Sequence, residues 1–298
     1  MIGYRDIGSG PPVLLLHGLG GDAGQSLGLV PDSLLWRRIA PEMPGHGSTE
    51  LSEDDELTFE AFGDAAAEVL DRRAPGQRVP VAGVSMGAGV ALALATRHPE
   101  LVKRLILIRP SHLDTSPVPN LAAFVEIAGL LESGHDRRDG QDLFAGGVTY
   151  RAMLTAAPAM AMSLLGQFTR PRAAQRARVL REMATRLPLP SPDAYRGIDV
   201  PTLVLGAPGD PVHDIGIARE WAQRIPGARF ESLPRKGLDA TAHAEALQAA
   251  VARNSVPLSH TETHERGVHG GAAGADRGGG PYPRPGAGRG AGRVDRGQ

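Results

Sequence analysis

The apolar positions along the chain fall into two rhythms. Short unbroken apolar runs at 13–16, 79–84, 105–108 and 202–205 read as strands buried on both faces, with weaker runs at 37–40 and 230–233. Between them, 59–73, 86–98, 215–225 and 240–253 carry alanine and larger apolar residues at helical spacing. Strands that are apolar throughout, alternating with helices, predict an α/β fold: a mostly parallel sheet covered by helices on both faces. Residues 2–7 add an edge strand. From 112 to 196 the alternation stops. Helical patterns at 120–132, 150–167 and 172–187, punctuated by prolines, read as an inserted helical cap, with the charged stretch 136–142 a solvated turn within it. The expected organisation is therefore a core from 1–111 and 197–253, with a cap at 112–196 between its parts. The stretch 254–298 is rich in Gly, Pro, Arg and His and lacks the apolar residues that offset ordering entropy, so it is expected to be a disordered tail.

Composition narrows the chemistry. The chain has 298 residues and a formal net charge of -1, which gives no bulk electrostatic case for nucleic acid or an anionic membrane. No apolar run approaches the roughly 20 residues of a membrane span. The N-terminal stretch lacks a basic segment followed by a long apolar one, so no signal peptide is expected and the cytoplasm is the expected location. Cysteine is absent, which removes disulfides, thiolate metal sites and a cysteine nucleophile together. A small molecule is the expected partner.

One stretch concentrates reactive features. Gly83-Val84-Ser85-Met86-Gly87 places a serine between glycines, after a buried strand and before a helix rich in small residues. A nucleophile on so sharp a turn needs close neighbours without bulk, which the glycines allow. The following helix start aims free N–H groups at the serine, and Met86 would give its backbone N–H to a developing oxyanion. The glycine-rich loop His17-Gly18-Leu19-Gly20-Gly21 after the strand at 13–16 can supply a second N–H, from Leu19 or, failing that, Gly20. His17 and His46 read as residues that tie loop backbone together, and Glu42 as a brace. A phosphate-binding loop is excluded by the glycine spacing and by the missing lysine.

With HGLGG at 17–21, PGHG at 44–47, GVSMGAG at 83–89 and DPVH at 210–213, the chain resembles the α/β-hydrolase fold family over 2–253. The resemblance implies a Ser–Asp–His triad, no metal and no cofactor, and acyl chemistry on esters, lactones, thioesters or amides. It also implies the chain order serine, acid, histidine. Ser85 is then the nucleophile and Asp210, in the loop after the strand at 202–205, the acid. Asp214 suits a helix cap better, and His213 reads as a loop residue. The sequence departs from the family at the histidine. Gly237-Leu238 stands where Gly-His is expected, and the nearest histidine is His243, on one helical face with Leu247 and Ala250. His243 is the expected base, with His112 the substitute. The implied function is hydrolysis of a small, fairly apolar carboxylic ester or lactone through an acyl-enzyme. A non-catalytic ligand-binding homologue is the alternative, and perhydrolysis or C–C hydrolysis a further possibility.

Overall fold

Residues 1–112, 118–134 and 136–255 are described in a computed structural model of the protein. Seven strands form one sheet: β1 (Gly3–Ile7), β2 (Pro12–Leu16), β3 (Arg37–Glu42), β4 (Val79–Val84), β5 (Val102–Ile108), β6 (Thr202–Gly206) and β7 (Arg229–Ser232). Their order is β1-β3-β2-β4-β5-β6-β7. Only the β1–β3 pair is antiparallel, and every other neighbour is parallel. The mostly parallel α/β sheet read from the apolar runs is thus present, and the weaker run at 37–40 is a full strand.

The strands are apolar throughout because both faces are covered. Leu14, Leu16, Val81, Leu105 and Leu107 face one buried cluster, and Val13, Leu15, Ala82, Ile106 and Leu205 face the other. This is the two-residue alternation of a strand with no solvent face to show. Helices α2 (Phe59–Arg73), α3 (Met86–Arg97) and α9 (Ile215–Arg224) cover the first face. Helices α1 (Ala23–Leu27) and α10 (Ala240–Ser255) cover the second.

The chain between β5 and β6 carries α4 (Ala122–Glu132), α5 (Arg137–Gly146), α6 (Val148–Ala156), α7 (Pro158–Leu165) and α8 (Ala177–Met183), and no strand among the described residues. It does not form a separate core. Phe124, Ile127, Leu164 and Phe168 belong to the same apolar cluster as Leu16, Phe59 and Leu107. Two sequence expectations change here. The 150–167 pattern is two helices, because Pro158 cannot continue α6 and drives Ala157 to φ -151° and ψ 77°. The charged stretch at 136–142, read as a solvated turn, is the first part of α5. Asp136 caps it by accepting from the N–H groups of Arg138 and Asp139, and Phe144 anchors it in the core. Residues 254 and 255 complete α10, and the rest of the expected tail lies outside the described residues.

Candidate active site

Ser85 sits at the carboxyl end of β4 with φ 56° and ψ -118°, in a backbone region that a residue with a Cβ rarely occupies. Its backbone N–H donates to the Ile108 carbonyl, which ties the turn to β5. The glycines explain themselves by distance. A Cβ on Gly83 would lie 2.0 Å from the Gly87 carbonyl oxygen, and one on Gly87 would lie 2.4 Å from the Leu16 carbonyl oxygen. Both positions exclude every larger residue.

The loop after β2 is held against this turn. A Cβ on Gly18 would stand 3.3 Å from the Ser85 Cβ. His17 donates through Nδ1 to the Gly18 carbonyl and accepts the Met43 N–H at Nε2. His46 donates through Nδ1 to the Pro44 carbonyl and accepts the Gly20 N–H. Glu42 accepts from Ala23 N–H and from Ser48. These three side chains brace backbone, as their positions in the sequence suggested. The bracing has a consequence for the N–H groups of the loop. Gly18 donates to Gln25 Oε1, Gly20 to His46, and Gly21 to the Gly18 carbonyl, but Leu19 N–H has no partner among the described residues. Met86 N–H, at the first turn of α3, has none either. An unpaired N–H in a packed setting is uncommon, and one belongs to each segment that meets Ser85.

The serine hydroxyl enters a chain of hydrogen bonds. Ser85 Oγ is 3.2 Å from Ser111 Oγ, which is 3.1 Å from His112 Nδ1, and His112 Nε2 is 3.1 Å from the Met183 carbonyl. The carbonyl can only accept, so Nε2 carries the proton and Nδ1 is an acceptor. Ser111 then donates to His112, and Ser85 donates to Ser111. Nothing in the sequence singled out Ser111. His112 is buried between Phe59, whose ring meets it edge-on at 4.9 Å, and the cap. Burial lowers its pKa to about 4, with the Met183 carbonyl opposing part of that shift.

Asp210 follows β6 and is largely enclosed. It accepts the N–H groups of Val212 and His213, pairs with Arg109, and lies 2.9 Å from His213 Nδ1, which is also 2.9 Å from Arg109 Nη2. Burial alone would raise its carboxyl pKa, but the His213 hydrogen bond and the Arg109 charge outweigh burial and hold it well below the usual range. Burial and then the Arg109 charge lower the pKa of His213, with Asp210 opposing them. The sequence read His213 as a loop residue; the Asp210 carboxylate accepts the N–H groups two and three residues on and closes the turn that brings the His213 ring to it. His213 Nε2 is buried without a partner. Asn120 Nδ2 donates to both the Ser111 and Val212 carbonyls and so clamps the two loops together.

His243 lies elsewhere. It is buried on α10 and donates through Nδ1 to the Pro234 carbonyl at 2.8 Å. It makes no hydrogen bond to Ser85 or Asp210, although burial and the charges of Arg109 and Lys236 lower its pKa, with Asp210 opposing them. The structure therefore joins Ser85 to His112 through Ser111 and Asp210 to His213, and leaves the expected partner of both on a carbonyl. Asp214 caps α9 by accepting from Gly216 N–H. Among the described residues no group of three His, Cys, Asp or Glu side chains is placed to hold a metal ion, and no helix is long and apolar enough to cross a membrane.

The buried histidines set an acid limit on stability. His17, His46, His112, His213 and His243 all have lowered pKa values, with burial the leading cause for each. A histidine with a depressed folded pKa contributes stability that is complete above its unfolded value near 6.5 and is lost as pH falls through the folded value. For His112 the loss runs from about pH 6.5 down to about 4, at about 1.4 kcal/mol per pH unit. The urea midpoint is expected to fall clearly between about pH 7.5 and about pH 5.5; an unchanged midpoint would contradict neutral burial of these rings.

The family model for the alpha/beta hydrolase fold matches residues 11–237. The chain belongs to the alpha/beta hydrolase fold family. A 2-hydroxymuconate semialdehyde hydrolase of Pseudomonas putida is 41% identical over 115 residues, covering 36% of this chain and 40% of the relative. An esterase of Mycobacterium tuberculosis is 36% identical over 101 residues, covering 34% of this chain and 33% of the relative. Each match thus spans two fifths of the relative or less. Among solved structures, a thermophilic esterase from Thermogutta terrifontis superposes with a TM-score of 0.66 at 22% identity, covering 86% of this chain and 94% of that one. An enol-lactonase from Burkholderia xenovorans gives 0.60 at 24%, covering 85% and 95%. These superpositions extend the likeness to other alpha/beta hydrolase folds over most of the described chain.

Proposed function

We propose that this alpha/beta hydrolase fold protein is a serine hydrolase that cleaves a small carboxylic ester or lactone through an acyl-enzyme at Ser85. The observation that carries the proposal is the strained Ser85 turn with an unpaired N–H on each side of it, from Leu19 and Met86. Of the partial relatives, the semialdehyde hydrolase supports hydrolysis by its name and the esterase supports an ester substrate.

In this reading Ser85 Oγ attacks the substrate carbonyl carbon, and the carbonyl oxygen takes the electron pair and the two N–H groups. The Ser85 proton passes to Ser111 Oγ as the Ser111 proton passes to His112 Nδ1, along the polarity that the Met183 carbonyl imposes. The same relay returns a proton to the leaving alcohol. Water, deprotonated in the same way, then releases the acid. His112 receives the role expected of His243 because, among the described histidines, it alone is hydrogen-bonded, through Ser111, to the nucleophile. A base with a pKa near 4 is available at neutral pH but weak, so turnover should be slow.

The binding-protein reading draws on a specific observation too: Asp210, the family's acid, is occupied by Arg109 and His213 rather than by His243. Hydrolysis of a short-chain p-nitrophenyl ester by the full chain separates the two. The hydrolase reading expects slow turnover that falls by roughly a hundredfold or more in H112N, with H243N much less affected. No turnover above the uncatalysed rate would favour binding, and selective loss in H243N would return the base to His243.

A further inference from the structure

A cavity of about 160 Å³ that does not include Ser85 carries an excess of cationic side chains. It lies between the α6–α7 corner, with Ala156, Pro158 and Met160, and the loops after β6 and β7. Arg109, Arg235 and Lys236 line it, and Asp210 is the one carboxylate among its lining residues. Three cations therefore share one anion. Asp214, which lines an adjoining cavity with Arg235, accepts from Gly216 N–H, and Asp239 accepts from Ala242 N–H; neither forms an ion pair among the described residues.

Each cation leaves something unused. Arg109 is 8% exposed, and its Nη2 goes to Asp210, but its Nε is buried with no partner. Its Nη2 also lies 2.9 Å from His213 Nδ1, so what Arg109 offers the cavity is its charge. Arg235 lies across Gly209, where a Cβ would meet its Nε at 2.4 Å, and it makes no ion pair among the described residues. Lys236 makes none either; partial desolvation, and then the Arg109 charge, lower its pKa. The Asp210 charge opposes that shift, and Asp210 is the carboxylate that Arg109, Arg235 and Lys236 have in common.

The cavity is also placed for the chemistry. Ser85 and Arg109 continue the paired ends of β4 and β5, where Val84 stands opposite Ile108, so they lie about one strand spacing, roughly 5 Å, apart. Asp210 follows β6, one strand further.

We propose that this cavity binds a carboxylate on the acyl part of the substrate, so that the protein prefers esters or lactones of short dicarboxylic acids over neutral acyl groups. The inference rests on the hydrolase reading for the word substrate, but the subsite itself does not. Arg109 and Lys236 meet the carboxylate, Arg235 closes the mouth, and the α6–α7 corner packs the methylene chain.

The test uses the full chain carrying Ser85→Ala, so that ligands survive, with calorimetric titration of monomethyl glutarate, dimethyl glutarate and inorganic phosphate. Monomethyl glutarate should bind at least roughly tenfold more tightly than the neutral diester or phosphate. Adding R235Q and K236Q, both on an exposed loop and so compatible with folding, should weaken monomethyl glutarate by roughly tenfold and leave the diester unchanged. Equal affinity for the two esters, tighter binding of phosphate, or no effect of the double substitution would each overturn the assignment. Labelling of Ser85 in the unsubstituted protein reports separately on the hydrolase reading. Labelling without glutarate binding removes the subsite alone, and glutarate binding without labelling removes the hydrolase alone.

Discussion

Replacing Ser85 by alanine is expected to lower kcat/KM on a short-chain p-nitrophenyl ester by roughly a thousandfold or more, while the urea midpoint stays close to that of the parent. Alanine keeps the Cβ and hence the strained turn at φ 56°, and it gives up one 3.2 Å contact with Ser111. That contact is worth about 1 kcal/mol at most. The two unpaired N–H groups remain, so the loss reads the nucleophile and not the fold. What persists would be the contribution of the oxyanion contacts and substrate binding. An alanine variant that retains the parent's turnover would place the chemistry elsewhere.

The second large effect concerns stability. Arg109→Met should cost about 3–5 kcal/mol, because it leaves the Asp210 carboxylate buried without its cation. Both side chains are largely enclosed, at 9% and 12% exposure, so solvent screening gives little relief. Arg109 also holds an unusual backbone, with φ 47°, and its N–H donates to the Leu205 carbonyl, which fixes it at the junction of β5 and β6. Denaturant unfolding of Arg109→Met alone and together with Asp210→Asn gives the decisive comparison. Asparagine removes the buried charge yet keeps an oxygen for the Val212 and His213 N–H groups, so the pair should be more stable than the single variant. A single variant as stable as the parent would mean that Asp210 is not ionised in the fold.

The sheet was legible in the sequence because strands buried on both faces have no polar positions to blur the pattern. The turn at Ser85 was legible for a similar reason, since only glycine fits at positions 83 and 87. Helix α5 was hidden because its core contact is narrow: Gly140 and Phe144 are its buried residues, and charged side chains dominate the rest. The break between α6 and α7 was signalled by Pro158, which an apolar pattern read over both sides of it obscured. Side-chain partners were the least legible feature. That His213 meets Asp210 depends on the turn closed by the Asp210 carboxylate on the Val212 and His213 N–H groups, and that His243 meets Pro234 depends on where α10 starts after Asp239. Ser111 carried no motif at all. It matters because Asn120 holds its carbonyl beside that of Val212, a meeting of segments 92 residues apart. Such encounters are decided by the course of loops, and local residue pattern does not encode them.

The central claim is that Ser85 is an activated nucleophile. Exposure of the full chain to a fluorophosphonate, followed by intact-mass measurement and peptide mapping, tests it without knowledge of the substrate. The account predicts a single stoichiometric adduct on Ser85, formed more slowly in H112N. No adduct on folded protein, or an adduct at another residue, would contradict it and leave the ligand-binding reading in its place.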